Sequence, residues 1–183
     1  MAYRNGTYIA FHAEGNTDPT ASDIRYYHML KAWHERDNIE FKFINSHDKH
    51  YAVRDSSKRE TLKVSLRARL NDSKNMVLII GSKTRFDTDW VPFEIAYAVD
   101  NCGLPIIAAY PGYEKITQPS ALRALWPASL VNRIDSGAAK VIHIPFKRRV
   151  IDDAISQYTL ANLPPNGLWF YSVEAHRILG CDV

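Results

Sequence analysis

One glutamate stands apart by its surroundings. Glu94 lies in Asp89-Trp90-Val91-Pro92-Phe93-Glu94-Ile95-Ala96-Tyr97-Ala98-Val99, a stretch with no other charge after Asp89. Pro92 lacks an N–H and is tolerated only among the first residues of a helix, which places the N-cap at Asp89 and Glu94 just past the first turn. On that helix the neighbours of Glu94 are Trp90, Val91, Tyr97, Ala98 and Asn101, all uncharged. A carboxylate so placed is either paired with a distant Arg or Lys or kept available for a ligand. No second chemical cluster competes with it. His47, Asp48, Lys49 and His50 resemble a metal site only by composition and read as a solvated loop, and Cys102 and Cys181 form no Cys-x-x-Cys pair. Neither a metal nor a bound cofactor is expected.

The elements around Glu94 alternate between strand and helix. Thr7 to His12 is rich in aromatic and β-branched residues and reads as a first strand, followed by a loop of turn formers from Ala13 to Pro19. Thr20 and Asp23 make a capping-box-like start for a helix over about Ala21 to Glu35. Ile39 to Asn45 alternates as a second, wetter strand, and Ser46 to Ser56 is polar. Ser57 and Glu60 form a capping box ahead of a helix striped by Leu62, Leu66 and Leu70. Met76 to Ile80, closed by Gly81-Ser82, is a continuous apolar strand of the kind covered on both faces. After the Glu94 helix, which Gly103 ends, come strands over Leu104 to Tyr110 and Val141 to Ile144. A short helix over Pro119 to Leu125 stops at Trp126-Pro127, and an amphipathic helix covers Lys147 to Ala161. Leu163-Pro164-Pro165-Asn166-Gly167 marks a boundary, so residues 1–162 are expected as one α/β domain and 163–183 as an extension packing back on it as a helix.

Five alternations predict an open parallel sheet with helices on both faces, in the flavodoxin-like order 2-1-3-4-5. Ligands bind such sheets beyond the carboxyl ends of the strands, which gathers the loops after His12, Asn45 and Gly81 around one cleft beside the Glu94 helix. The chain has no Gly-x-Gly-x-x-Gly and no Gly-x-x-x-x-Gly-Lys-Ser/Thr, which removes dinucleotide-fold and P-loop readings. Gly81 stands where a phospho-accepting receiver would carry aspartate. At 183 residues and 46% hydrophobic the chain can bury one full core. The net charge of +3 is spread among acids, with Lys147-Arg148-Arg149 the only tight cluster, so neither nucleic acid nor a membrane is an expected partner. A start without an apolar signal region gives the expectation of a soluble, cytoplasmic protein.

Several stretches in one order resemble a Toll/interleukin-1 receptor (TIR) domain. Tyr8-Ile9-Ala10-Phe11-His12-Ala13-Glu14-Gly15 is similar to the family's first-strand motif. Leu62 to Ser73 leading into Val77-Leu78-Ile79-Ile80-Gly81-Ser82 resembles its second helix and third strand, and Trp90-Val91-Pro92-Phe93-Glu94-Ile95 its Trp-x-x-x-Glu-Leu helix start. Asp23-x-Arg25 with Trp33, and Lys83-Thr84 after Ser82, narrow the resemblance to the TIR-like proteins of the bacterial Thoeris anti-phage system and their uncharacterised kin, over about residues 7 to 110.

The resemblance implies cleavage of NAD at the nicotinamide-ribose bond, with NAD as substrate, Glu94 as the catalytic carboxylate and a cyclic ADP-ribose-type signal read by a separate effector. It offers Phe11 or Trp90 for stacking on a ring, Arg25 or Lys83 for the pyrophosphate, Asp23 to orient either cation, and His12 and Ser82 as further substrate contacts. Phe11 and Trp90 equally suit the core, Asp23 and Arg25 suit capping and surface roles, and His12 suits an anchor for its loop. Two other functions stay open. One is a non-enzymatic module working through TIR–TIR self-association, in which Glu94 is a paired structural acid. The other is a nucleoside hydrolase or deoxyribosyltransferase on a similar sheet, revealed by nucleoside turnover without NAD turnover.

Overall fold

The computed structural model describes residues 4–13, 22–36, 43–44 and 56–181. Its strands are β1 (Gly6–Ala10), β2 (Phe43–Ile44), β3 (Ser73–Ile79), β4 (Ile106–Tyr110), β5 (Val141–Pro145) and β6 (Trp169–Phe170). Its helices are α1 (Ile24–Arg36), α2 (Ser56–Asn71), α3 (Trp90–Ala96), α4 (Ala128–Asp135), α5 (Arg148–Gln157) and α6 (Val173–Ile178). The strands form one parallel sheet in the order β2-β1-β3-β4-β5-β6. This is the expected flavodoxin-like α/β order, extended by one edge strand. Of the expected loops Ala13 to Pro19 and Ser46 to Ser56, residues 14–19 and 46–55, with His47 to His50, lie outside the described residues.

Strand periodicity sorts the core into two layers. Tyr8, Ala10, Met76, Leu78, Ala108 and Tyr110 face one way, onto Leu62, Leu66 and Leu70 of α2, Val91 and Ile95 of α3 and Leu130 of α4. Ile9, Phe11, Val77, Ile79, Ile107 and Ile142 face the other way, onto Ile24, Tyr27 and Leu30 of α1 and Val150, Ile151 and Ile155 of α5. Glu94 therefore belongs to the α2–α3–α4 face. The first turn of α1 belongs to the opposite one. No helix among the described residues is long and apolar enough to cross a membrane.

The short helix over Pro119–Leu125 forms, as a 3₁₀ helix, and stops at Trp126 as expected; Pro127 then serves as the N-cap of α4, with φ −63 and ψ 146, where its fixed φ and missing N–H suit a helix entry. Two expectations need correction. The helix over Lys147 to Ala161 ends at Gln157 because Tyr158 turns extended, at φ −101 and ψ 111. Asn75, buried in β3, donates from Nδ2 to the carbonyls of Ile155 (2.9 Å) and Tyr158 (2.7 Å) and so satisfies oxygens that a helix end leaves unpaired. The expected tail helix is present as α6, but an unforeseen strand precedes it: β6 lies along β5, with Ile142 opposite Trp169 and His143 opposite Phe170.

A buried hydrogen-bond chain fixes that tail. Desolvation lowers the His143 pKa to about 4, so the ring is neutral at pH 7. The Gly167 carbonyl can only accept, so His143 donates to it from Nε2 at 2.9 Å. In the neutral ring Nδ1 is then an acceptor, taking the Tyr110 hydroxyl at 2.7 Å, and Tyr110 in turn accepts the Trp126 indole N–H at 2.7 Å. On the far side of the tail, the Ile116 N–H reaches His176 Nε2 at 3.4 Å, and Tyr171 donates to Asp153.

Candidate functional site

The entry of α3 is built by a residue the sequence reading passed over. Asp89 occupies the N-cap position but makes no capping bond from its side chain. The Asp87 carboxylate does so instead, accepting from the Asp89 N–H at 2.9 Å and the Trp90 N–H at 3.0 Å. Asp89 pairs with Arg59 of α2, whose guanidinium lies 5.2 Å from the centre of the half-buried Trp90 ring. His12 Nδ1 stands 2.9 Å from the other Asp87 oxygen, so the end of β1 is tied to the cap of α3. The helix leaves through a π-helical turn, Tyr97–Asn101, and Gly103 at φ +64, where a residue without Cβ carries no steric penalty.

Glu94 is 0% exposed. The Tyr8 hydroxyl, from the middle of β1, donates to its Oε1 at 2.5 Å. Tyr8 is equally buried, and its pKa is raised well above the ordinary value, first by burial and then by the charge and hydrogen bond of Glu94, against an opposing pull from Arg69. The phenol thus stays protonated and remains a donor. Out of water, a carboxylate acts on nearby charge far more strongly than an exposed one does.

On the other side of the sheet, at the carboxyl ends of the strands, lies a cleft of about 340 Å³. Asp23, Arg25, Ser82 and Lys83 line it, so the structure brings together four of the sequence-derived candidates; Ser22, Tyr26, Gly81 and Pro111 complete the wall. Phe11, His12, Trp90 and Glu94 are not among the lining residues. Phe11 is buried and stacks on Tyr27 with ring centres 5.2 Å apart.

The cleft's floor depends on close approach. The Gly81 N–H donates to Thr84 Oγ1 at 2.8 Å, and the Thr84 hydroxyl donates to Asp23 Oδ2 at 2.8 Å. A Cβ on Gly81 would meet Asp23 Oδ1 at 1.9 Å. Replacing Gly81 by alanine is therefore expected to cost about 1–3 kcal/mol of stability. Denaturant titration of a double-mutant cycle should show Gly81→Ala costing less in an Asp23→Ala background; equal costs in both backgrounds would refute the contact. Ser22 adds strain, with a left-handed φ of 53, and its buried Oγ has no hydrogen-bond partner among the described residues. Arg25 lies over the Tyr26 ring at 4.6 Å and donates to its hydroxyl at 2.7 Å. Lys83 also lines the cleft, which thus holds two cations beside the Asp23 carboxylate.

Sequence reasoning missed Ser22, Tyr26 and Pro111, whose roles come from neighbours remote in the chain. Only the glycine closing the third strand hinted at the approach over Gly81. The model of one protein family, described as the Thoeris protein ThsB TIR-like domain, matches residues 8–116. That segment runs from β1 past β4 and holds every candidate residue, while α4, β5, α5 and the tail lie beyond it. With more than half of its length matched, the chain belongs to the Thoeris ThsB TIR-like domain family.

Proposed function

We propose that this protein is a signalling enzyme of anti-phage defence that cleaves NAD between nicotinamide and ribose, with Glu94 as the catalytic carboxylate. The observation that carries the reading is a wholly buried glutamate, bonded by a phenol, on the helix that the family model includes. The C1′–N bond breaks with its electron pair going to nicotinamide, which removes the pyridinium charge. The ribose left behind is oxocarbenium-like, and Glu94 stabilises that positive charge. Water adding at C1′ and losing a proton gives ADP-ribose. A nucleophile of the same molecule gives a cyclic product, the signal for a separate effector. Arg25 and Lys83 hold the pyrophosphate, and Asp23 orients them.

Because Glu94 has no exposed surface, substrate reaches it only when the groups covering it move. Self-association of TIR-like copies supplies that rearrangement. A second reading draws on the same burial: a non-enzymatic assembly module with Glu94 as a structural acid. Kinetics separate the two. The Arg25→Ala/Lys83→Ala variant is expected to raise the KM for NAD about tenfold or more while changing kcat little, as loss of charge-assisted contacts to the pyrophosphate does. Nicotinamide release with an unchanged KM would remove these cations from the site, and absence of release from both proteins would favour the module.

A further inference from the structure

We propose that Tyr8 is the positioning residue for Glu94, its hydroxyl holding the carboxylate in one orientation throughout turnover. The inference rests on Glu94 being the NAD-cleaving carboxylate. A tyrosine in the middle of a central strand buries a hydroxyl, which is costly without a partner. Phenylalanine would fill the same space, so what the oxygen of Tyr8 adds among the described residues is its 2.5 Å bond to Glu94 Oε1.

Both ends of that bond sit on fixed supports. β1 pairs with β2 on one side and β3 on the other, with Tyr8 opposite Ile44 and Met76, and all its residues are buried. Glu94 lies one turn into a helix whose first N–H groups Asp87 caps and whose Val91 and Ile95 are buried in the core. Motion that uncovers Glu94 therefore falls on its cover, while strand and helix keep the pair together. A buried carboxylate without a donor would be heavily penalised, and the phenol supplies one. Burial and the neighbouring Glu94 keep Tyr8 protonated, so the donor is present at every working pH.

The test compares the wild-type chain with Tyr8→Phe, which retains ring and volume. Nicotinamide release should fall at least tenfold in kcat, with KM within twofold and a melting temperature within a few degrees of wild type. A Tyr8 hydroxyl proton, slow to exchange and shifted downfield, should appear in NMR spectra of tyrosine-labelled wild-type protein and move upfield in Glu94→Gln. An unchanged or increased kcat overturns the proposal, an increase meaning that the bond is a lock; absence of the hydroxyl proton overturns it as well. If the wild-type chain releases no nicotinamide, it is the NAD reading that fails, and the hydroxyl proton alone decides whether Tyr8 holds Glu94.

Discussion

Glu94→Gln is expected to reduce nicotinamide release by about 10²–10³-fold or more while leaving the protein folded. Glutamine keeps the shape, and its carbonyl can still accept the Tyr8 hydroxyl, so what is lost is the charge that opposes the ribosyl cation. Nicotinamide quantified by chromatography reads the loss, and a thermal melt on the same sample shows that the variant is folded. Release that survives the substitution would take Glu94 out of its assigned role.

The second large effect concerns acid stability and resides in His143. Its pKa is about 4 in the folded protein against 6.5 for an ordinary imidazole. Above pH 6.5 neither folded nor unfolded chain protonates it, and its contribution to stability is complete. Between pH 6.5 and 4 only the unfolded chain takes up the proton, so stability falls as pH falls; below pH 4 both states are protonated and the loss levels off. The total is about 3 kcal/mol. Denaturant titrations at stepped pH should show that loss in the wild-type chain and a shallower one in His143→Gln, which has nothing to titrate. Because His143 holds Gly167, hydrogen exchange at the amides of β6 should report the loss. Equal slopes in the two proteins would contradict the buried neutral ring.

The order of strands and the layers of the core were legible because they follow from patterns within ten or so residues. Apolar runs marked β3 and β4, Val141 to Ile144 marked β5 despite His143, the Leu62-Leu66-Leu70 stripe marked α2, and Gly103 marked the end of the Glu94 helix. What escaped is fixed by contacts between distant residues. Tyr8 and Glu94 are 86 positions apart, and Asp23 and Thr84 are 61 apart, and no periodicity announces either pair. Asp87 rather than Asp89 caps α3 because Arg59, thirty positions away, takes Asp89. The sixth strand was hidden in a tail whose Trp169 and Phe170 form only a two-residue ladder, too short for an alternation to show. Within the candidate site, the sequence named the cations and the acid; the glycine floor, the strained Ser22 and the phenol on Glu94 needed the fold.

NAD turnover by the unmodified chain tests the account most directly. Purified protein is incubated with NAD across a range of protein concentrations, and nicotinamide and adenine-containing products are resolved by mass spectrometry. The account predicts nicotinamide equal to the NAD lost, rising more than proportionally with protein concentration as copies assemble, together with a product of ADP-ribose mass or one water lighter. NAD recovered intact at every concentration, with assembly proceeding normally, would contradict it and leave a TIR-like assembly module.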